Sequence, residues 1–297
     1  MTTIGFIGLG HMGQPMAKHL LAIDPKLCVY DVEPKAVQAL MQEGATAQSI
    51  VEMAKAVDIV FTSVQTGEQV KSICLGETGL FAHAKSNLLY IDCSSIDITT
   101  TLLLHTEAQQ REIAMLDAPV SGGVSAAQAG TLTIMVGGDD KNFERARMVL
   151  DKLAKKVIHA GPAGRGQAAK ICNNLLLGIS MVGVCEAFAL AEKLGLDPKK
   201  FFEISSNASG QCWAMTSYCP VPGIIEKVPA NHQYEPGFTA RMMLKDLRLA
   251  HHAAETVEAS IPLGAVTAEL YELYINQGAG SKDFSGIIEM IASKAFV

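Results

Sequence analysis

Apolar and polar positions follow two regimes along the chain. Up to about residue 160, short apolar runs of strand length recur between segments with helical spacing. Residues 3–7, 27–30, 58–64, 88–91, 113–116, 132–136 and 156–159 read as strands. Between them, 34–43, 49–56, 67–75, 97–112 and 141–155 read as helices, with Gly44 ending the first and Ser49 able to cap the second. This alternation predicts an α/β domain with a doubly wound, largely parallel sheet. After Gly161-Pro-Ala-Gly-Arg-Gly the pattern becomes all-helical. One unbroken stretch runs over 167–194 and stops at Gly195, and further helices are expected over 198–206, 239–257, 263–277 and 285–295. Residues 211–236, rich in Pro, Tyr and Gly, read as an ordered loop. The expected division is a dinucleotide-binding domain over 1–163 and an all-α domain over 164–297.

The first strand leads directly into Gly8-Leu9-Gly10-His11-Met12-Gly13, a G-x-G-x-x-G order, and then into a helical pattern through Met16, Leu20 and Leu21. The second strand ends on Asp31, 18 residues after Gly13. A glycine motif is informative in this strand–turn–helix–strand setting. Gly8 permits the tight turn, Gly10 a close approach of backbone to a pyrophosphate, and Gly13 close packing of helix on strand. The helix N-terminus offers unpaired N–H groups and partial positive charge to the phosphates. Asp31 can accept from ribose hydroxyls and would repel a 2′-phosphate, so NAD is expected over NADP. Ligands of such sheets lie at the carboxyl ends of the strands, which places the loops at 64–66, 93–96 and 119–123 toward the cofactor.

Composition narrows the function. Hydrophobic residues make up 49% of the 297 positions and charged residues 18%, which indicates a well-buried globular enzyme. The net charge is −6 and there is no basic tract, so neither nucleic acid nor an anionic membrane is an expected partner. The 7 cysteines are scattered without a C-x-x-C, and the 8 histidines show no ligand spacing, so no metal is expected and the thiols read as reduced. The first strand begins by residue 3, which predicts no targeting segment and a cytoplasmic location. The most apolar stretch, 175–185, is too short by itself to span a membrane. It is apolar on all sides and is expected to be buried between domains or subunits.

Three features carry candidate chemistry. Lys170 and Asn174 lie four apart and share a helix face, with Lys170 among apolar residues. Burial lowers a lysine pKa and would suit it to proton transfer near neutral pH; a lysine on the surface of an amphipathic helix gives the same pattern. Ser121-Gly122-Gly123 follows a strand, and its successive N–H groups can form an anion-binding concavity, or simply a flexible turn. Lys245-Asp246 sits in a helix of mixed charge and on its own reads as a solvated ion pair.

Together these motifs resemble the β-hydroxyacid dehydrogenase family along the whole chain. The resemblance is carried by Gly5-Phe-Ile-Gly8-Leu-Gly10-His-Met-Gly13, by the run from Asp117-Ala-Pro-Val-Ser121-Gly-Gly to Gly130-Thr-Leu, by Gly164-x-Gly-x-x-x-Lys170-x-x-Asn-Asn174 and by Leu244-Lys-Asp-Leu247. It implies an N-terminal Rossmann domain, a long linking helix and a helical C-terminal domain that builds a homodimer or homotetramer, as in 6-phosphogluconate dehydrogenase. By likeness, Lys170 is the catalytic lysine, Asn174 anchors substrate, and Ser121, Gly122 and Gly123 receive its carboxylate. Gly8 to Gly13, Asp31, Val64, Gln65, Ser95 and Lys245 line the cofactor. The loop over 212–223 and Asp283-Phe284-Ser285 are most similar to the branch that oxidises 3-hydroxyisobutyrate to its semialdehyde in valine degradation. The same machinery serves tartronate and succinate semialdehyde reductases. Imine reductases of similar build lack a lysine at the position of Lys170. A non-catalytic dinucleotide-binding protein is the reading of another class, and it leaves Lys170, Asn174 and the Ser121 loop unexplained. One departure from the family pattern is Gln65, where many relatives carry Pro; its main chain would still allow a cofactor contact.

Overall fold

The structure, a computed structural model, describes residues 2–292. By contact density it divides into two compact units, Met1–Lys170 and Ile171–Val297. The division falls inside a helix and not before it at 163/164. The reason is local: the first turn of that helix is bound to the strands of the first unit, as set out below.

In the first unit the strands are β1 (Ile4–Ile7), β2 (Cys28–Tyr30), β3 (Thr46–Ala47), β4 (Ile59–Thr62), β5 (Leu89–Asp92), β6 (Ala114–Asp117), β7 (Val120–Ser121), β8 (Leu132–Gly137) and β9 (Ala154–Gly161). The helices are α1 (Gly13–Leu21), α2 (Pro34–Met41), α3 (Ile50–Ala56), α4 (Gly67–Cys74), α5 (Leu80–His83), α6 (Ile98–Gln110), α7 (Gly123–Ala129) and α8 (Asp140–Leu150). The nine strands belong to one sheet in which β3-β2-β1-β4-β5-β6 run parallel. The order reverses on either side of β1, so the crevice at the carboxyl ends of β1 and β4 is the switch point where such sheets bind ligands. Beyond β6 the sheet is not parallel: β8 pairs antiparallel with β6 and β7, and parallel with β9. The short β3, β7, α5 and α7 carry too few residues to show a period in the sequence.

Local chemistry explains where the helices start. Ser49 and Glu52 form a reciprocal capping box at α3, as Thr66 and Gln69 do at α4, and the Asp97 carboxylate accepts from Thr100 N–H at α6. One face of the sheet buries Phe6 and Phe61, stacked with ring centroids 5.9 Å apart, under α1 and α8. The other buries Tyr90 and Phe81 in an edge contact beneath α3, α4 and α6. Such burial on both faces is why the strands read as continuous apolar runs.

Helix α9 (Arg165–Lys193) begins in the first unit and continues into the second. The second unit adds α10 (Pro198–Ser205), α11 (Trp213–Thr216), α12 (Ala240–Thr256), α13 (Pro262–Tyr274) and α14 (Ile288–Ile291). Its core gathers Met181, Cys185 and Phe188 of α9 with Met243 and Leu247 of α12 and Tyr271 of α13. The loop over 211–236 holds α11 and a 3₁₀ turn at Pro229–His232. The helix expected over 263–277 ends in one π-turn at Ile275–Ala279, where Gly278 has φ +91°. The helix expected over 285–295 starts as a 3₁₀ turn at Phe284–Ile287, and its last residues lie outside those described. Asp283 binds this region together, accepting from Tyr218 Oη, from the Gly237, Phe238 and Ser285 N–H groups and from Ser285 Oγ.

Two expectations concern α9. Over its 29 residues an 18-residue window reaches a mean hydropathy of 1.8, so by length and composition the whole helix is long enough to cross a membrane, unlike the stretch 175–185 alone. A core helix has the same composition, and α9 supplies core residues here. Within one chain, Met181, Val182, Val184 and Cys185 are buried and Leu176 is 64% exposed, so at Leu176 the expected cover would have to come from a second subunit.

Candidate active site

The glycine turn is built as its spacing requires. Gly8 has φ +93°, and a Cβ there would lie 2.3 Å from the Ser63 carbonyl oxygen. A Cβ on Gly13 would lie 1.8 Å from the Gly8 carbonyl oxygen, so any side chain would push α1 off the strand. A Cβ on Gly10 would meet nothing within 4 Å, which leaves open space beside the backbone at that point. Helix α1 starts at Gly13, and among the described residues no side chain caps it; Gln14 N–H donates to the Gly10 carbonyl oxygen at 3.0 Å and Pro15 has no N–H, so the positive end of the helix and the glycine turn before it are what face an anion. Leu9 is buried, Met12 half-buried and His11 exposed.

Asp31 stands just past β2. Its Oδ2 accepts from Leu9 N–H at 2.5 Å and its Oδ1 from Glu33 N–H at 2.8 Å. The carboxylate thus holds the glycine turn, and each oxygen keeps a lone pair for a hydroxyl donor. The turn, the uncapped helix and this carboxylate together fit the phosphates and ribose diol of a dinucleotide.

At the carboxyl end of β4, Val64 N–H donates to Ser94 Oγ at 3.0 Å, which ties this loop to the one after β5. Gln65 N–H donates to Gln69 Oε1 at 2.9 Å as part of the cap of α4, which leaves its carbonyl as the main-chain group for the expected cofactor contact. Ser95 is half-buried in the next loop. Beneath the loop lies a buried polar chain. Tyr90 Oη and Thr62 Oγ1 are 2.7 Å apart, Thr62 Oγ1 donates to Asp92 Oδ1 at 2.7 Å, and Ser94 N–H donates to the same oxygen at 3.0 Å. Asp92 Oδ2 is buried with no hydrogen-bond partner among the described residues. Burial, joined by the charge of Asp117, pushes the Asp92 carboxyl up to about 6.

The first turn of α9 is anchored by Asp117 at the end of β6. Its Oδ1 accepts from Gly164 N–H at 2.8 Å and its Oδ2 from Gln167 N–H at 2.9 Å, while His105 Nε2 lies 2.9 Å from Oδ1. Close approach depends on two glycines: a Cβ on Gly166 would lie 2.5 Å from the carbonyl oxygens of Asp117 and Met135, and one on Gly137 would lie 2.6 Å from Asp117 Oδ1. Lys170, one turn further along α9, is only 9% exposed. Ser121 ends β7, and Gly122 and Gly123, with φ of +132° and +71°, open α7. They form a strand-to-helix corner and not a flexible turn, with open space beside Gly123.

In the second unit, Asn174 is 1% exposed and its Nδ2 donates to Asp246 Oδ2, while Asn173 Nδ2 donates to Asn174 Oδ1 at 3.0 Å. Lys245 Nζ lies 3.3 Å from Asp246 Oδ1, an ion pair without hydrogen-bond direction. Asp246 is buried, so Lys245-Asp246 is not a solvated pair. The structure therefore joins Asn174 and Lys245 through Asp246. It groups Gly8–Gly13, Asp31, Val64 and Ser95 at the carboxyl edge of the sheet. Sequence reasoning missed Asp92, Gln167, Asp117 and His105. Asp117 and Gln167 lay inside recognised motifs, but as positions without an assigned role.

Residues 3–161 match the family profile described as the NAD binding domain of 6-phosphogluconate dehydrogenase. Residues 164–291 match the profile described as NAD-binding of NADP-dependent 3-hydroxyisobutyrate dehydrogenase. The chain belongs to the β-hydroxyacid dehydrogenase family. It is 43% identical to 3-hydroxyisobutyrate dehydrogenase of Pseudomonas aeruginosa, over 99% of this chain and 100% of that one. It is also 43% identical to a protein of the same organism named NAD-dependent L-serine dehydrogenase, over 96% of each. A solved structure of Mycobacterium tuberculosis 3-hydroxyisobutyrate dehydrogenase with L-serine is similar with a TM-score of 0.92, at 41% identity over 98% of this chain and 99% of that one. As a member of this family the protein is an NAD(P)-dependent oxidoreductase with a Rossmann domain followed by a helical region.

Proposed function

We propose that the protein oxidises a 3-hydroxy acid to its semialdehyde with NAD, and that 3-hydroxyisobutyrate, an intermediate of valine breakdown, is its substrate. The observation that carries the reading is Lys170, buried on α9 one turn before the fixed amide of Asn174. The dinucleotide supplies a hydride acceptor when bound. Neutral Lys170 accepts the substrate hydroxyl proton as the carbon–hydrogen bond breaks, and returns it in reduction. Ser121 Oγ and the N–H groups of Gly122 and Gly123 hold the carboxylate, so that binding energy far from the reacting carbon orients it. Asn174, its amide fixed by Asp246 and Asn173, positions the hydroxyl toward Lys170. Asp31 favours NAD by pairing with the ribose diol and repelling a 2′-phosphate.

L-serine is the second reading, favoured by the relative named for it. Serine is also a 3-hydroxy acid, differing at C2 by an ammonium in place of a methyl group. We propose further that a homo-oligomer covers the exposed leucines of α9.

NADH absorbance with a panel of 3-hydroxy acids tests the reading. Turnover is expected with 3-hydroxyisobutyrate at a higher kcat/KM than with L-serine, and serine ahead would reverse the assignment. Lys170→Ala should cut kcat roughly 10²–10⁴-fold with NAD binding little changed. Lys170→Arg should not rescue it, since arginine stays protonated. Near wild-type kcat in Lys170→Ala would refute the role of this lysine.

A further inference from the structure

Gln167 is completely buried, although glutamine is a residue normally found at the surface. Its side chain is satisfied at both ends by one short stretch of backbone. Nε2 donates to the Ser94 carbonyl oxygen at 2.6 Å, and Oε1 accepts from Ile96 N–H at 3.3 Å. These two groups flank Ser95, so the amide grips the chain on both sides of that residue, as a neighbouring strand would. The main chain of Gln167 is held independently, by its N–H on Asp117 Oδ2. The same Ser94 also takes Val64 N–H on its hydroxyl. The loops after β4 and β5 and the end of β6 therefore all converge on the first turn of α9. Lys170 lies at i+3 from Gln167, on the same face of that helix.

We propose that Gln167 is a positioning residue that sets the Ser95 loop against the turn carrying Lys170. The inference rests on the proposed roles of Lys170 as proton carrier and Ser95 as a cofactor contact. A hydride and a proton leave adjacent atoms of the substrate, so the group receiving the proton and the loop holding the hydride acceptor must keep a fixed spacing. A rigid amide with both hydrogen bonds to one loop provides it, because neither bond can slip without leaving a buried polar group unpaired.

Gln167→Leu removes both bonds at similar volume, and Gln167→Glu removes the donor and sets a carboxylate against the Ser94 carbonyl. In the cofactor-free protein, amide exchange at Ile96 should accelerate at least tenfold in Gln167→Leu. With NAD and 3-hydroxyisobutyrate, kcat should fall 10- to 100-fold while the NADH dissociation constant, read by fluorescence, stays within threefold. The isotope effect with substrate deuterated at the hydride carbon should rise. Gln167→Glu should lose kcat at high pH and regain it as the carboxyl takes up a proton and becomes a donor again; this variant carries the test if Gln167→Leu does not fold. Wild-type kcat and isotope effect in folded Gln167→Leu, or in Gln167→Glu at high pH, would overturn the proposal. So would a loss of kcat matched by an equal loss of NADH affinity and thermal stability, which marks a purely structural residue. Lys170→Ala, run alongside, separates the two readings: if it keeps kcat, the proposed mechanism fails; if it loses kcat and Gln167→Leu does not, only the positioning role fails.

Discussion

Asp92 should make the protein less stable as pH rises through the weakly acidic range, and Asp92→Asn should abolish that dependence. The carboxyl is fully buried and stands at about 6, above the ordinary value of 3.8, because burial penalises its charged form. The folded state therefore binds this proton more tightly than the unfolded chain. The stabilisation is complete below 3.8 and is lost as pH rises through about 6. Raising a carboxyl from 3.8 to about 6 corresponds to about 3 kcal/mol. For a unit of this size that is about 6–12 °C in Tm. The asparagine variant keeps an oxygen for Thr62 Oγ1 and Ser94 N–H, and puts an NH₂ where Oδ2 has no partner. That unpaired donor costs about 1–3 kcal/mol, independent of pH. Asp58, held down to about 2 by Lys85 and Thr3, acts with the opposite sign at lower pH and is common to both proteins. Melting temperatures measured from pH 4 to pH 7.5 should therefore show the variant gaining on the wild type by several degrees. Parallel profiles would refute the raised carboxyl at Asp92.

Asp31→Ser should narrow the preference for NAD over NADP, measured by kcat/KM with each cofactor; equal use of both by the wild type would remove the role given to this carboxylate. Gly13→Ala should lower Tm and abolish NADH binding by fluorescence titration, because its Cβ falls 1.8 Å from the Gly8 carbonyl oxygen. Leu176→Asp should shift the protein to a smaller species in sedimentation velocity; an unchanged size would place the subunit contact elsewhere.

Much of the first unit was legible because its signals are local. Ser49 and Asp97 mark helix starts through bonds made within four residues, and the positive φ of Gly8 and the close approach of Gly13 to the Gly8 carbonyl oxygen arise within a single turn. The antiparallel β8 was not legible, because strand direction depends on a connection and leaves no mark on alternation. Lys245-Asp246 was misread on its own for a related reason. A charged pair on a helix looks solvated until the partner that buries it is known, and Asn174, which does so here, lies far away in sequence. Gln167 and Asp92 were silent for the same reason: Gln167 owes its role to the backbone of the loop after β5, and Asp92 to the Thr62 hydroxyl of β4. The inside of α9 was legible as apolar, but hydropathy does not distinguish the core face at Met181 from the open one at Leu176.

The two glycines that let α9 rest on the sheet also constrain how this gene can change. A single-nucleotide substitution in any glycine codon is silent, introduces a stop, or specifies a residue with a Cβ. At Gly166 that Cβ meets two carbonyl oxygens, and at Gly137 it meets the carboxylate that anchors the helix. Unlike a core leucine, neither site has a smaller residue to pass through, and even alanine, the smallest step up, brings the clashing Cβ. These sites therefore offer drift no intermediate step, and a lineage that lost one would regain function sooner by reversion than by compensation elsewhere.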